Sequence, residues 1–132
     1  RDAIAEILSD MAPNVNFDIG VPITKMKEFT TAIRQELQTA FPTIRQVTFG
    51  HIGDGNLHLS CTTGNVADQV PIEDLVFKRA TQMGGTITAE HGIGILKKPW
   101  LDTCRTADEI AMMRQLKSLL DPAGILNQGR VI

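Results

Sequence analysis

The sequence predicts an α+β domain, a ferredoxin-like βαββαβ antiparallel sheet with helices on one face, extended by extra N-terminal and C-terminal helices. Three observations predict it. Segments of period-two alternation and segments of helical apolar spacing run in the order strand, helix, strand, strand, helix, strand, the split βαβ arrangement. Pro or Gly stands at the junctions between them. The 132 residues are enough for one domain with its own core, and no internal repeat interrupts them.

Ile4, Ile7, Leu8 and Met11 recur at helical spacing, so residues 1–12 read as a helix that Pro13-Asn14 breaks. Residues 16–21 alternate, with Phe17, Ile19 and Val21 on one side and Asn16, Asp18 and Gly20 on the other, a half-buried strand that Pro22 ends. Thr24 is placed to cap a helix over 25–40, whose stripe is Met26, Phe29, Ile33 and Leu37. After Pro42, residues 44–51 and 56–62 give the second and third strands. A helix over 71–83 carries Pro71 in its first turn and Gly84-Gly85 beyond its end. Residues 86–90, TITAE, form the fourth strand. A partly irregular stretch, 91–101, precedes a helix over 107–120, and the DPAG turn leads into the tail.

Composition narrows the function classes. The chain is 42% hydrophobic and 21% charged with a formal net charge of −2, so it lacks the basic footprint of a nucleic-acid partner. No apolar run approaches the roughly 18 residues that span a bilayer, and no secretory signal pattern is present. Cys61 and Cys104 are far apart and in no CxxC pair, which reads as reduced thiols in a reducing compartment, the cytoplasm. The chain opens at Arg1, without a methionine and directly in a helical pattern, and reads as a piece cut from something longer.

The two sheet faces differ in kind. Phe17, Ile19, Val21, Leu57, Leu59, Cys61, Ile87 and Ala89 make the core side; Asn16, Asp18, Asn56, His58, Ser60, Thr86, Thr88 and Glu90 make the other. In the strand order 4-1-3-2 the polar set is contiguous, with Gly20 as a gap in its middle. A solvated sheet face is usually built from long-stemmed Lys, Arg and Glu. This face is built from short ligating groups, which suit a polar site covered by another domain.

Within FGHIGDGNLHLS, His51 and His58 flank Gly53-Asp54-Gly55. A four-residue loop over 53–56 sets them opposite each other, at the roughly 4.5–5.5 Å Cβ spacing of cross-strand pairs, close enough for both imidazoles to hold one divalent ion. Simple alternation puts His51 on the core side with Val47 and Phe49, so a bulge at Gly50 is needed to turn it over. The alternative is that the two histidines merely close a glycine-rich hairpin. Glu90 ends the fourth strand on the polar face and offers a third, oxygen ligand, which leaves His91 free to act as a base. In the ideal fold, however, the hairpin and the end of the fourth strand lie at opposite ends of the sheet. By itself LDPAGILNQGRVI is a terminal turn that carries Asn127.

Together HIGDGNLH, GGTITAEHGIG and LLDPAGILNQGRV, in this order and spacing, resemble the C-terminal part of FAD-linked oxidases and dehydrogenases of 2-hydroxy acids. This family, within the vanillyl-alcohol-oxidase superfamily, includes D-lactate dehydrogenases, the glycolate oxidase FAD subunit and D-2-hydroxyglutarate dehydrogenases. The resemblance covers nearly the whole chain, so residues 1–132 read as the cap or substrate domain, whose open face meets a flavin held by an upstream FAD-binding domain that this sequence lacks. It implies His51, His58 and Glu90 as ligands of a divalent metal, zinc in the zinc-dependent members. It implies His91 as the base that takes the substrate hydroxyl proton, Asn56 and Asn127 as residues approaching the flavin, and Arg1 as a grip on a substrate carboxylate. Asn16 and Ser60 fall at substrate-binding positions, but the hydroxyglutarate enzymes place threonine, lysine and asparagine where this chain has Ala5, Asn16 and Ser60. That departure leaves the redox class intact and bears only on which substrate is taken. The expected function is therefore metal-assisted oxidation of a D-2-hydroxy acid to the 2-oxo acid with hydride passing to FAD, by the whole protein and not by this piece alone. The resemblance names no electron acceptor and leaves room for a homo-oligomer. The rival is a stand-alone ferredoxin-like module that binds a metal or a small molecule without catalysis.

Overall fold

The computed structural model describes residues 2–132, with side-chain surroundings from residue 6 onward. Arg1 therefore lies outside the described residues, as does the side chain of Ala5. Helix α1 (Asp2–Ser9) leads to strand β1 (Val15–Gly20), and helix α2 (Met26–Ala40) leads to the hairpin of β2 (Arg45–His51) and β3 (Asn56–Thr62). Helix α3 (Gln69–Gln82), the short α4 (Leu101–Cys104) and α5 (Ala107–Leu120) complete the chain. The class is α+β, as the sequence predicts: three antiparallel strands in the order β1-β3-β2, with α2 and α3 on one side. Phe17, Ile19, Leu57, Leu59 and Cys61 from the sheet share a single core with Phe29, Ile33 and Leu37 of α2 and Ile72, Val76 and Phe77 of α3.

The helices follow from local chemistry. The apolar stripe of α2, Met26, Phe29, Ile33 and Leu37, is wholly buried. Its start differs from the sequence expectation. Thr24 does not cap it; Pro22 instead opens a 3-10 turn over Ile23–Lys25, closed by the Lys25 amide donating to the Pro22 carbonyl at 2.8 Å. Helix α5 begins where expected because Thr106 and Glu109 form a capping box, with reciprocal bonds of 3.2 and 2.7 Å. Trp100 packs on Phe77 with ring centroids 5.1 Å apart, and its indole N–H donates to Asp74 at 2.6 Å, so the stretch before α4 is anchored on the helix layer. At the tail, Asp121 accepts the amides of Ile125 and Leu126, and the Val131 amide donates to the Gly94 carbonyl.

The expected fourth strand contracts to one bridge. Gly20 and Thr86 exchange amide bonds of 3.2 and 2.8 Å beside β1, which keeps the predicted neighbour relation at that single position. Close approach sets the residue type before it: a Cβ on Gly85 would stand 2.3 Å from the Gly20 carbonyl oxygen. Ile87 still enters the core. From residue 88 the chain leaves the ladder, and the amides of Ala89, Glu90 and His91 turn toward the carboxylate of Asp18. The open face of the sheet is partly roofed by this segment.

Candidate active site

The hairpin registers Phe49 against His58 and His51 against Asn56, one to one through Gly50. The bulge expected at Gly50 does not form, and none is needed. Val47, Phe49 and His51 all lie on the open face with Ser60, His58 and Asn56, while Gln46 and Thr48 face the helices. The sequence expectation that Val47 and Phe49 belong to the core is thus reversed. As the edge strand, β2 needs little apolar cover on its helix side; Ile44 supplies it, and Gln46 donates to the Arg34 carbonyl of α2 at 3.2 Å. Gly50 is required by contact instead: φ is +148°, and a Cβ there would stand 2.4 Å from the Asn56 carbonyl oxygen. The loop spans 52–55, one residue earlier than expected, so the two histidines are diagonal neighbours. Their rings meet edge to face, 5.7 Å apart.

The departure from the ladder brings the expected residues together. Glu90 lies 3.9 Å from His51 Nε2 and 3.8 Å from His58 Nε2, and the ligand atoms of all three fall within 4.8 Å of one another. Ligands about 2.1 Å from a tetrahedral ion sit about 3.4 Å apart, so the two histidine–Glu90 separations lie about half an ångström beyond that spacing, and two nitrogens with one oxygen fit zinc and leave a position open. Asp18, His58 and His91 form a second such group. There, however, Asp18 Oδ2 is already committed, since it accepts from Thr88 Oγ1 (3.2 Å) and from the amides of Ala89 (3.1 Å), Glu90 (2.9 Å) and His91 (2.7 Å). The set the sequence anticipates is the other one, His51, His58 and Glu90, in which neither histidine nor the carboxylate is tied up by the backbone of the 88–91 segment.

His91 stacks on His58 with centroids 5.8 Å apart, and its Nδ1 is 3.8 Å from Asp18 Oδ2. Burial pushes the Asp18 carboxyl up, but the amides of His91, Glu90 and Ala89 and the charge of Lys97 outweigh it and hold the group down at about 2. Lys97 Nζ stands 3.8 Å from the same oxygen; its own pKa is lowered because burial outweighs the attraction of Asp18. Sequence reasoning put Asp18 on the polar face without a role and missed Lys97 altogether, since one lysine of a Lys-Lys pair carries no periodic signal.

Beside the histidines lies a recess of about 390 Å³ lined by Asn16, Phe49, His58, Ser60 and His91, with Leu8, Asn14, Phe17 and Leu59. No lysine or arginine among the described residues lines it. Among the described residues, the buried side-chain atoms left without a partner all belong to this face: Asp18 Oδ1, both polar atoms of Asn56 and Ser60 Oγ. Asn56 is 3% exposed, and an amide buried with donor and acceptor both free fits a ligand edge that offers both, as a flavin ring edge does. Asn127 is exposed in the C-terminal turn with φ +46°, and among the described residues no hydrogen bond links it to the histidine cluster.

The chain matches, over residues 1–131, the family described as FAD linked oxidases, C-terminal domain. It is 41% identical to a D-2-hydroxyglutarate dehydrogenase of Xanthomonas citri and 35% identical to one of Stutzerimonas stutzeri, in each case over 99% of its own length and 29 and 30% of the relative's. It is 37% identical to the glycolate oxidase subunit GlcD of Bacillus subtilis, over 82% of this chain and 26% of that protein. The chain thus spans under a third of the relatives it matches. With the match extending from end to end and carrying the HIGDGNLH and AEHGIG segments that build the cluster, this chain belongs to the FAD-linked oxidase C-terminal domain family.

Proposed function

We propose that this chain is the substrate-holding part of a flavin-dependent dehydrogenase that oxidises a D-2-hydroxy acid to the 2-oxo acid, with a divalent metal, zinc, held by His51, His58 and Glu90. The observation that carries the reading is the convergence of these three side chains beside His91. Oxidation at Cα must remove a hydride and a hydroxyl proton. When bound, FAD supplies the hydride acceptor and the metal a Lewis acid that lowers the hydroxyl pKa. His91 takes the proton: its Nδ1 faces Asp18, which favours the tautomer protonated there and leaves Nε2 to accept. Phe49 lies against His58, ring centroids 5.2 Å apart, and limits water at the reacting end. Asn56 offers its unpartnered amide to the flavin edge. The recess takes the substrate tail, and with no lysine or arginine lining it among the described residues it favours an uncharged one.

The full-length protein tests this. His58→Ala should remove the bound metal, measured by elemental analysis. His91→Asn should keep the metal but lower kcat by about 10²- to 10⁴-fold, the usual contribution of a general base, with little change in KM. Unchanged metal content in His58→Ala, or full turnover by His91→Asn, would count against the assignment.

A further inference from the structure

We propose that Asp18 is the positioning residue of this site: its buried carboxylate, rather than the sheet, sets where Glu90 and His91 stand. One oxygen, Oδ2, collects three successive backbone amides, from Ala89, Glu90 and His91 at 3.1, 2.9 and 2.7 Å, together with the Thr88 hydroxyl at 3.2 Å. Among the described residues these three amides make no other hydrogen bond. The ladder that would have held them as a strand stops at the Gly20–Thr86 bridge. Glu90 and His91 are themselves exposed, so packing does little to fix them. Asp18 is 1% exposed and sits on the rigid β1 strand directly across from His58. The carboxylate thus ties the exposed donors of the site, Glu90 and His91, to the strand pair that carries His58. It touches neither metal nor substrate in this role and acts through the backbone.

This inference rests on the metal reading above, and the experiment separates the two. Cobalt(II), whose visible bands report its ligand geometry, is titrated into metal-free full-length protein, unsubstituted and with Asp18→Asn or His58→Ala. Asp18→Asn keeps the shape and one acceptor oxygen but removes the charge that makes these four bonds about twice as strong as neutral ones, and it puts an NH2 group without a partner where the buried Oδ1 stood. It is expected to weaken cobalt binding about ten- to a hundredfold, as loss of supporting groups around metal ligands does, and to alter the bands. A folded Asp18→Asn protein that binds cobalt within twofold of the parent, whatever its melting temperature, overturns the proposal while His58→Ala still loses the metal. Loss of no affinity in His58→Ala instead sinks the metal reading. Amide hydrogen exchange on the unsubstituted protein decides the matter even if Asp18→Asn does not fold. The amides of Ala89, Glu90 and His91 should exchange as slowly as those of the β1–β3 ladder. Exchange as fast as in the exposed Ile95-Leu96 stretch overturns the proposal.

Discussion

At the scale of the residue, a carboxylate that accepts four hydrogen bonds away from water makes folding depend on pH. Asp18 has an ordinary pKa of 3.8 in the unfolded chain and about 2 when folded. The unfolded chain therefore takes up the proton first, so the stabilisation is complete above about pH 4 and is lost as pH falls toward 2. A shift of this size corresponds to about 2 kcal/mol. Urea midpoints measured at pH 6 and 2.5 should differ more in the parent than in Asp18→Asn; parallel acid losses in the two would show that other carboxyls govern the transition. The sequence reveals Asp18 only as one polar position in an alternating strand. Its partners lie 70–73 positions away, and no local pattern announces them. His51, His58, Glu90 and His91 were legible because three motifs in register point to a family, not because spacing alone forced them together.

At the scale of the element, the hairpin depends on Gly50. Gly50→Ala would place a methyl against the Asn56 carbonyl at a backbone angle that side chains rarely adopt. A destabilisation of roughly 1–3 kcal/mol is expected, with His51 shifted away from His58. Chemical denaturation measures the first, and loss of metal affinity in the full-length protein the second. Thr106→Ala should remove one half of the α5 capping box and cost about 1 kcal/mol, seen as faster exchange of the first-turn amides. Helices α2, α3 and α5 were legible to within about two residues because caps, Pro and Gly act locally. Two elements were not. Alternation in β2 tells which residues share a face but not which face meets the helices, so Phe49 was assigned to the wrong side. TITAE has the period of a strand, yet a side chain from β1 captured the amides that a ladder would have used.

At the scale of the whole molecule, the open face and the helix layer have separate tasks. The open face carries the recess that no lysine or arginine among the described residues lines. A charge-assisted bond contributes about 1.5–3 kcal/mol against about 1 for a neutral one, so with Asn16 where a cation would select a second carboxylate, selection for a diacid should weaken by about three- to thirtyfold. Comparison of kcat/KM for lactate, 2-hydroxybutyrate, malate and 2-hydroxyglutarate on the full-length protein should favour the monoacids. If the diacids win by about tenfold, and Asn16→Lys does not widen that margin, the recess does not choose the tail. The helix layer holds Trp100 against Phe77 and Asp74, on the far side of the sheet from the histidines. The sequence has this one tryptophan and no tyrosine. Ultraviolet emission from the 132-residue chain is therefore a single-colour gauge of how well the helix layer is packed. It should shift on denaturation and stay still when a divalent ion is added, so one cuvette distinguishes a variant that has melted from one that has only lost its ligand.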